Sequence, residues 1–411
     1  MAKPLIPISY RQAILFMTYF VLYEFLTYIA NDMIMPGMIQ VVHTFHAPET
    51  AVASSLVAYI LGGATLQIFL GPLSDTYGRR PVMLIGAALF FMLTLIIALT
   101  QTMEQFLIAR FFQGMGLCFI SVVGYATLHE MFCDKDAIRL SSIMGNVAIT
   151  APLLGPLAGA LLVHHMGWRA IFFTIAAFSL LSLWGLWRYM PEPIGQIKED
   201  GQRIEPASIA PKAIASNYYQ LCMNPSFMLG AFIFGLLGVP CVIWIALAPV
   251  MMMNAAHVSV IEYGIWQLPI FTAAILGNVV LQRMTHRFSI IQMVWIGSLI
   301  AVLSLFSMVG CSWVFGDNFR WLVPGLMVYF FGYALAAAPL YRYILFSTEI
   351  TKGTASALNS MLLMVIQAIG VGVANHLYIG HSNLHLSMLC ALIGVVYLVG
   401  WYGLYRLEGH K

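Results

Sequence analysis

The chain has 411 residues, of which 61% are hydrophobic and only 9% carry a charge. Soluble domains carry roughly 25% charged residues, so this composition excludes a soluble globular protein and indicates an integral membrane protein. The formal net charge is +3, without a Lys/Arg cluster interleaved with aromatic residues, so nucleic acid is not expected as a partner.

Apolar segments recur along the whole chain, and each is close to the ~20 residues that a helix needs to cross a bilayer. Continuous apolar runs favour helices over the shorter alternating strands of a membrane barrel. The sequence therefore predicts an all-α integral membrane protein with twelve transmembrane helices. Their predicted bounds are 13–37, 51–73, 82–100, 104–128, 138–162, 168–190, 226–250, 261–282, 289–311, 319–346, 354–379 and 384–405.

One polar, Pro-containing stretch interrupts the apolar pattern midway, from Pro191 to Gln220. It separates two groups of six predicted spans, and short basic turns follow the second and the eighth span at matching positions. Parallel six-helix halves with a substrate site between them are a known transporter plan. We therefore predict an N-terminal half over residues 1–190, a cytoplasmic linker over 191–222, part of which can form a surface helix, and a C-terminal half over 223–411.

The distribution of basic residues predicts the orientation. With twelve spans, all but three of the 19 Lys and Arg residues fall on the side that carries both termini. Arg169 and Arg320 fall on the opposite side and Arg110 falls inside a span. Positive residues mark the cytoplasmic face, so we expect a multi-pass protein of the bacterial inner membrane with both termini in the cytoplasm.

Two carboxylates lie inside the first predicted span, at Glu24 and Asp32. An ionisable group at the centre of a membrane helix costs roughly 2.5–3.5 kcal/mol or more, so such residues are a functional-site hypothesis by default. The eight-residue spacing gives a rise of ~12 Å and a rotation of ~80°, which places both acids on broadly one face. Tyr28 lies between them and Asn31 adjoins Asp32.

Arg110 is the third charged residue inside a span, and its depth predicts that it faces Asp32 across the N-terminal half. Burial favours the neutral form of a carboxyl group, whereas a nearby cation favours the ionised form. Glu24 has no cation at its depth, so we expect it to carry a proton near neutral pH, with Asp32 held ionised by Arg110. An acid that binds either a proton or a cationic substrate exchanges one for the other, as antiport requires. The alternative is that Glu24 merely hydrogen-bonds a neighbouring helix.

The stretch GPLSDTYGRRP follows the second predicted span. Its glycines permit a tight turn, and its aspartate can cap the next helix or pair with a following arginine. A plain cytoplasmic turn with positive charges is the alternative interpretation. The residues concerned are Gly71, Asp75, Gly78, Arg79 and Arg80.

The fifth predicted span contains two prolines and two glycines, each pair spaced by four residues. Pro152 and Pro156 remove helix hydrogen bonds and bend the axis. Gly155 and Gly159 allow another helix to approach closely. Together they predict a kinked, tightly packed helix at a hinge or seal between the halves.

Taken together, these motifs resemble the drug/proton antiporters of the major facilitator superfamily, and the likeness covers most of the chain. The loop signature G-x-L-x-D-R-x-G-R-R/K is met by Gly71, Leu73, Asp75, Gly78, Arg79 and Arg80, but Thr76 stands where a basic residue is usual. The fourth-span signature R-x-x-Q-G-x-G is met by Arg110, Gln113, Gly114 and Gly116, and the fifth-span signature G-P-x-x-G by Gly155, Pro156 and Gly159. The first-span pattern Y-E-F-x-T-Y-I-x-N-D runs from Tyr23 to Asp32.

The resemblance implies export of varied lipophilic compounds, cationic and neutral, driven by proton influx. It implies that Glu24 and Asp32 serve proton coupling and recognition, that Arg110 supports coupling, and that the loop signature latches the two halves. The partners expected are small lipophilic molecules, protons and membrane lipid, with no cofactor, and the protein is expected to be a monomer. The implied substrate pocket comprises Tyr28, Asn31, Gln113, Asn146, Tyr263 and Gln267.

Other classes of protein are less compatible with the sequence. No Walker A motif is present, so ATP is not the expected energy source. Neither an HExxH motif nor a Ser/His/Asp set at matching depths is found, so an enzyme is not expected. His381 and His385 lack the cysteines or carboxylates that complete a metal site, so no metal is expected. A dedicated exporter of one endogenous metabolite, such as a siderophore or a polyamine, remains the alternative on the same scaffold.

Overall fold

The computed structural model describes residues 5–132, 134–197, 203–204, 211–285, 287–350, 352–378 and 382–408. Within these ranges, side chains are not described at 134–139, 141–143, 145–146, 148–149, 211, 213 and 352. The described residues are overwhelmingly helical, which confirms the predicted fold class.

Twelve helical segments follow the twelve predicted spans, and we number them span 1 to span 12. Among the described residues, ten of them are long and apolar enough to cross a membrane, and there are eleven if the two helices of span 2, bent by 43°, are counted as one span. Span 5, with 33 residues, occupies the place of the fifth predicted span. The bounds are Tyr10–Thr44, Thr50–Thr65 with Gln67–Tyr77, Arg79–Leu99, Met103–Met131, Asp134–Met166, Trp168–Tyr189, Pro225–Ala255, Val260–Met284, Ile290–Phe315, Phe319–Leu345, Gly353–Leu377 and Asn383–Leu407.

The spans pack as two groups, and some pairs of helices make contacts between the groups. Span 1 packs on spans 5 and 6, and span 3 packs on spans 4 and 6. In the second group, span 7 packs on spans 11 and 12, and span 9 packs on span 10. Span 2 contacts span 11, and span 5 contacts span 8, so these pairs join the groups. The exact boundaries predicted for the two halves and the linker remain a prediction.

Spans 1, 4 and 7 depart from regular α-helix where they pack against other helices. Span 1 passes through a 3₁₀ turn at Met35–Gly37. Span 4 contains a π-helical turn at Phe119–Gly124, and span 7 ends in another at Val250–Ala255. Irregular backbone at membrane depth is tolerated where protein or a cavity covers it, and π turns are often found at functional sites.

A short helix outside the spans, Pro211–Met223, lies within the predicted linker, and we call it the linker helix. It contacts the start of span 7 and span 11. We call the face of the bundle at which the described chain begins and ends the terminal face. It carries the linker helix and the turns after the even-numbered spans. The linker helix is therefore placed where it can cover the space between the two groups of spans.

Candidate functional site

Glu24 lies in the middle of span 1 and is fully buried. The hydroxyl of Tyr125, on span 4, donates a hydrogen bond to Glu24 Oε1 at 3.0 Å. Among the described residues, Glu24 Oε2 has no hydrogen-bond partner. A buried carboxyl oxygen without a partner is costly for a structural residue, so this half of the group is suited to a proton or to a ligand.

Tyr125 is the partner of Glu24 that sequence reasoning missed. It is the first residue after the π-helical turn Phe119–Gly124, and its side chain is half-buried. Nothing in the spacing of the sequence distinguishes it from other aromatic residues in spans. The π turn itself, which sets the direction of Tyr125, leaves no sequence signature that we recognise.

Arg110 on span 4 is also fully buried. Its guanidinium carbon lies 4.4 Å from the centre of the Tyr59 ring, within the range of a cation–π interaction. Its nitrogen atoms donate four hydrogen bonds, to Ala30 O at 3.3 Å, Asn31 Oδ1 at 3.0 Å, Ser55 Oγ at 3.3 Å and Gln113 Oε1 at 2.7 Å. The guanidinium thus ties spans 1, 2 and 4 together.

Asn31 stands between Arg110 and Asp32. It accepts from Arg110 through Oδ1, while its Nδ2 lies 3.4 Å from Asp32 Oδ1. Among the described residues Asp32 forms no direct ion pair with Arg110, although the two charges interact electrostatically. The charge of Asp32 also reaches Tyr263 on span 8 and Cys241 on span 7. Asp32 is therefore close enough to the C-terminal group of spans for its charge to act there, while Asn31 separates it from direct contact with Arg110.

The two glycines of span 5 make the close approach to span 1 possible. A Cβ atom at Gly155 would lie 2.9 Å from the Cβ of Asp32, and one at Gly159 would lie 1.9 Å from the carbonyl oxygen of Met33. Both prolines of the motif, Pro152 and Pro156, lie inside the helix. On the other side, Gly264 of span 8 packs against Pro156 O. Span 5 is thus held between the helix that carries the acids and the C-terminal group.

The residues implied for a substrate pocket fall in different places. Gln113 is buried in the Arg110 network and donates to Thr94 Oγ1 at 2.8 Å. Gln267 is buried and accepts a hydrogen bond from Trp244 Nε1 at 2.8 Å. Tyr28 is half-buried and Tyr263 is buried. The side chain of Asn146 lies outside the described residues.

The loop signature forms a network of charges at the terminal face. Arg79 pairs with Asp75 on the preceding turn of helix. Its Nε and Nη2 donate to the two carboxylate oxygens of Glu130 at 3.1 and 2.7 Å, which is the bidentate geometry that strengthens such pairs. Gly78 has a φ of +102°, a backbone conformation that favours glycine.

A second acid, Glu192, holds the start of span 3. Its carboxylate accepts the backbone N–H groups of Arg79 and Arg80 at 3.0 and 2.9 Å, which satisfies free donors at the start of a helix. Thr76, at the position where a basic residue is usual, donates to Pro72 O at 3.0 Å. Sequence reasoning missed Glu130 and Glu192, because each lies far along the chain from the motif that it stabilises.

A cavity of about 680 Å³ opens between the two groups at the terminal face. Its walls come from span 2, span 4, the linker helix and span 11, and Gly71, Asp75 and Tyr125 are among its lining residues. At the opposite face the groups are in contact, since Asn254 donates to Glu49 at 2.7 Å and Asn375 donates to Thr50 O at 2.9 Å. The cavity leads to Tyr125, which contacts Glu24.

A bundle of membrane-crossing helices in two groups, with two buried acids on the first span and a cavity open to one face, defines a membrane transporter. The Major Facilitator Superfamily model matches residues 20–371, so the chain belongs to that family. It is a secondary transporter and not an enzyme.

Relatives in the same family are similar to the chain over nearly its full length. It is 41% identical to Multidrug transporter MdfA of Yersinia pestis bv. Antiqua (strain Angola) over 388 residues, covering 94% of this chain and 93% of the relative. The corresponding protein of Escherichia coli O6:H1 is 39% identical with the same coverage. These relatives support an MdfA-like member of the superfamily.

Solved structures agree with the fold. A D-xylose-proton symporter superposes with a TM-score of 0.74 at 17% identity, covering 94% of this chain and 97% of that one. A bacterial homolog of the human lysosomal transporter Spinster, in an inward-facing conformation, gives 0.73 at 14% identity, covering 97% and 98%. At these identities the likeness concerns the fold alone.

Proposed function

We propose that the protein exports lipophilic cationic and neutral drugs from the cytoplasm to the periplasm in exchange for protons. The relatives that bear the name multidrug transporter support the substrate class. The observation that carries the mechanism is the state of Glu24, a fully buried carboxyl with one oxygen held by Tyr125 and the other without a partner among the described residues.

The orientation follows from the distribution of charge. Most of the Lys and Arg side chains that the structure describes belong to the terminal face, and the positive-inside rule assigns that face to the cytoplasm. The cavity then opens inward, and both termini are cytoplasmic. A substrate from the cytoplasm enters the cavity and reaches Tyr125 before it reaches Glu24.

Glu24 and Asp32 divide the chemistry in this proposal. Glu24 holds a proton when the site is empty and releases it when a cationic substrate takes its place. The charge of Asp32 acts on Tyr263 of the C-terminal group, so its charge state alters the attraction between the halves. Arg110 lies behind Asn31 and keeps the hydrogen bonds around Asp32 in one arrangement.

Alternating access requires the contacts at the opposite face to break. The hydrogen bonds from Asn254 to Glu49 and from Asn375 to Thr50 O close the periplasmic side here. One proton entering the cell releases about 2.3 kcal/mol per 100 mV of membrane potential. That amount is comparable with the net free energy of a few hydrogen bonds of this kind. Proton entry can therefore drive the change between the conformation open to the cytoplasm and the one open to the periplasm.

Substitution of Glu24 by Gln tests the proposal. The amide keeps the shape and can still accept from Tyr125, but it carries no charge and exchanges no proton. We expect efflux of an aromatic cation such as ethidium to fall at least about tenfold, the loss that ~1.5 kcal/mol of charge pairing represents. Efflux of a neutral compound of similar size should fall less, because Asp32 remains. The measurement is transport in proteoliposomes with an imposed pH gradient.

Tyr23→Phe provides the matched control for this substitution. Tyr23 precedes Glu24 in the sequence, and its hydroxyl is buried without a hydrogen-bond partner among the described residues. Its ring packs edge-on against the ring of Phe90, with 5.8 Å between the ring centres. Removal of the hydroxyl should leave transport of both compounds close to that of the wild type. Equal losses of cation and neutral efflux in Glu24→Gln, or no loss, would refute the proposed role.

A further inference from the structure

The linker helix is amphipathic, and its buried face is turned toward the bundle. Ile214, Asn217, Tyr218 and Leu221 follow the spacing of one helical face and are half-buried or, for Leu221, fully buried. The neighbouring Tyr219 is 65% exposed. The helix is therefore docked in a defined register, with one tyrosine turned inward and the next turned away.

Tyr218 joins this helix to the N-terminal group. Its hydroxyl lies 3.4 Å from the carbonyl oxygen of Ile68, just after the bend of span 2. Leu221, one turn further, is buried among side chains of the C-terminal group. Burial raises the pKa of Tyr218 to about 12, so at neutral pH its hydroxyl is an uncharged donor. The helix thus closes the gap between the groups beside the cavity.

The cavity is lined by this helix and by hydroxyl groups from the spans. The linker helix contributes Ile214, Asn217 and Tyr218 to its wall. Tyr125 and Ser121 on span 4 face it from the other side. Each donates its own proton within the protein, Tyr125 to Glu24 Oε1 at 3.0 Å and Ser121 to Leu117 O at 3.1 Å.

A hydroxyl that has donated its proton still offers lone pairs. The cavity therefore presents acceptor oxygens and two aromatic rings, those of Tyr125 and Tyr218. Aromatic faces attract cations by about 0.5–2 kcal/mol according to their exposure to water. Asp75 adds a carboxylate that is paired with Arg79, and both Arg79 and His129 also line the cavity. This combination suits a lipophilic cation with an aromatic body better than an anion.

We propose that the cavity is a loading site for aromatic cations, which a substrate occupies before it reaches Glu24, and that Tyr218 of the linker helix is a specificity-determining residue of that site. This inference rests on the proposed export function. It extends that function by assigning the linker helix a part in recognition.

Substrate protection tests whether the site is occupied. In a chain whose six native cysteines are all replaced by Ser, single cysteines are introduced by Asn217→Cys, which lines the cavity, and by Tyr219→Cys, which is exposed. Both are labelled with a polar thiol reagent in the presence and absence of ethidium. At ten times its Kd, ethidium should slow labelling at position 217 about tenfold and leave labelling at position 219 unchanged.

Transport kinetics test the role of Tyr218. Tyr218→Ala should raise the KM for ethidium about threefold or more with little change in the maximal rate. Tyr218→Phe, which keeps the ring, and Tyr219→Ala should both resemble the wild type. A merely structural role of the helix would instead lower the maximal rate for every substrate.

The outcomes separate this inference from the function on which it rests. If the wild type exports ethidium but position 217 is not protected, or if Tyr218→Ala leaves the KM unchanged, the loading site is wrong and the export function stands. If the wild type neither binds nor exports ethidium or other aromatic cations, both are overturned.

Discussion

Substitution of Arg110 by Lys is expected to impair transport severely although the charge is retained. The guanidinium donates to four acceptors on three helices, whereas an ammonium group is a compact donor that cannot reach them in the same planar arrangement. At least two buried acceptors would lose their partner, each at a cost of about 1–3 kcal/mol. We expect efflux to fall at least about tenfold and the apparent unfolding temperature to fall.

Two measurements on Arg110→Lys separate coupling from stability. Thermal unfolding in detergent reports the stability, and proton release on addition of ethidium reports the coupling. Arg320→Lys is the control, because Arg320 is an exposed arginine at the opposite end of the bundle, and it should behave as the wild type in both. Wild-type stability and wild-type transport in Arg110→Lys would show that the hydrogen-bond network around Asp32 has no role in transport.

The partner of Arg110 shows what the sequence could and could not predict. The depth of the arginine and of Asp32 in their spans predicts that they lie at a similar level, since helical rise converts residue number into height. Successive residues on a helix point ~100° apart, so a small rotation decides whether Asn31 or Asp32 meets the guanidinium. Only the packed structure determines that rotation, and it places Asn31 in direct contact.

The irregular turns in spans 1 and 4 also limited what the sequence could predict about span ends and side-chain directions. Pro36 resembles the end of a span in the sequence, yet span 1 continues to Thr44, because a proline in the first turn of the next helix removes no hydrogen bond that the helix needs. The π-helical turn Phe119–Gly124 adds a residue to one turn of span 4. A regular helical projection over that span therefore gives the wrong direction for Tyr125, the residue that contacts Glu24.

The twelve-span pattern, in contrast, was predictable to within a few residues at most ends. Bilayer thickness sets the length of each span and the cost of unpaired backbone groups makes it helical, so composition alone carries that information. The charge network at the loop signature was predictable only in part. The pairing of Asp75 with Arg79 is local in sequence, whereas Glu130 and Glu192 reach the same arginine region through the tertiary fold.

The helix contact next to Asp32 is expected to be highly sensitive to a small change in side-chain size. In Gly159→Ala, the added Cβ would lie 1.9 Å from the carbonyl oxygen of Met33. That neighbour is backbone and cannot rotate away, so span 5 and span 1 must separate. Overpacking of this kind costs about 1–3 kcal/mol or more. Because Asp32 is the residue before Met33, we expect efflux to be nearly lost together with stability.

Gly310→Ala is the control, because it makes the same chemical change at a position where no atom lies within 4 Å of the added Cβ. It separates the effect of the helix contact from the effect of replacing a glycine. Gly310 is inside span 9, where alanine favours helix by about 1 kcal/mol relative to glycine. The control should therefore unfold at the same temperature as the wild type or slightly above it, with normal efflux.

If Gly159→Ala matched this control in unfolding and in transport, span 5 could not be packed on span 1 through Gly159, and the fifth-span motif would have no part in holding Asp32. If instead Gly159→Ala kept its stability but lost efflux, the close approach would be needed for the exchange of states and not for folding.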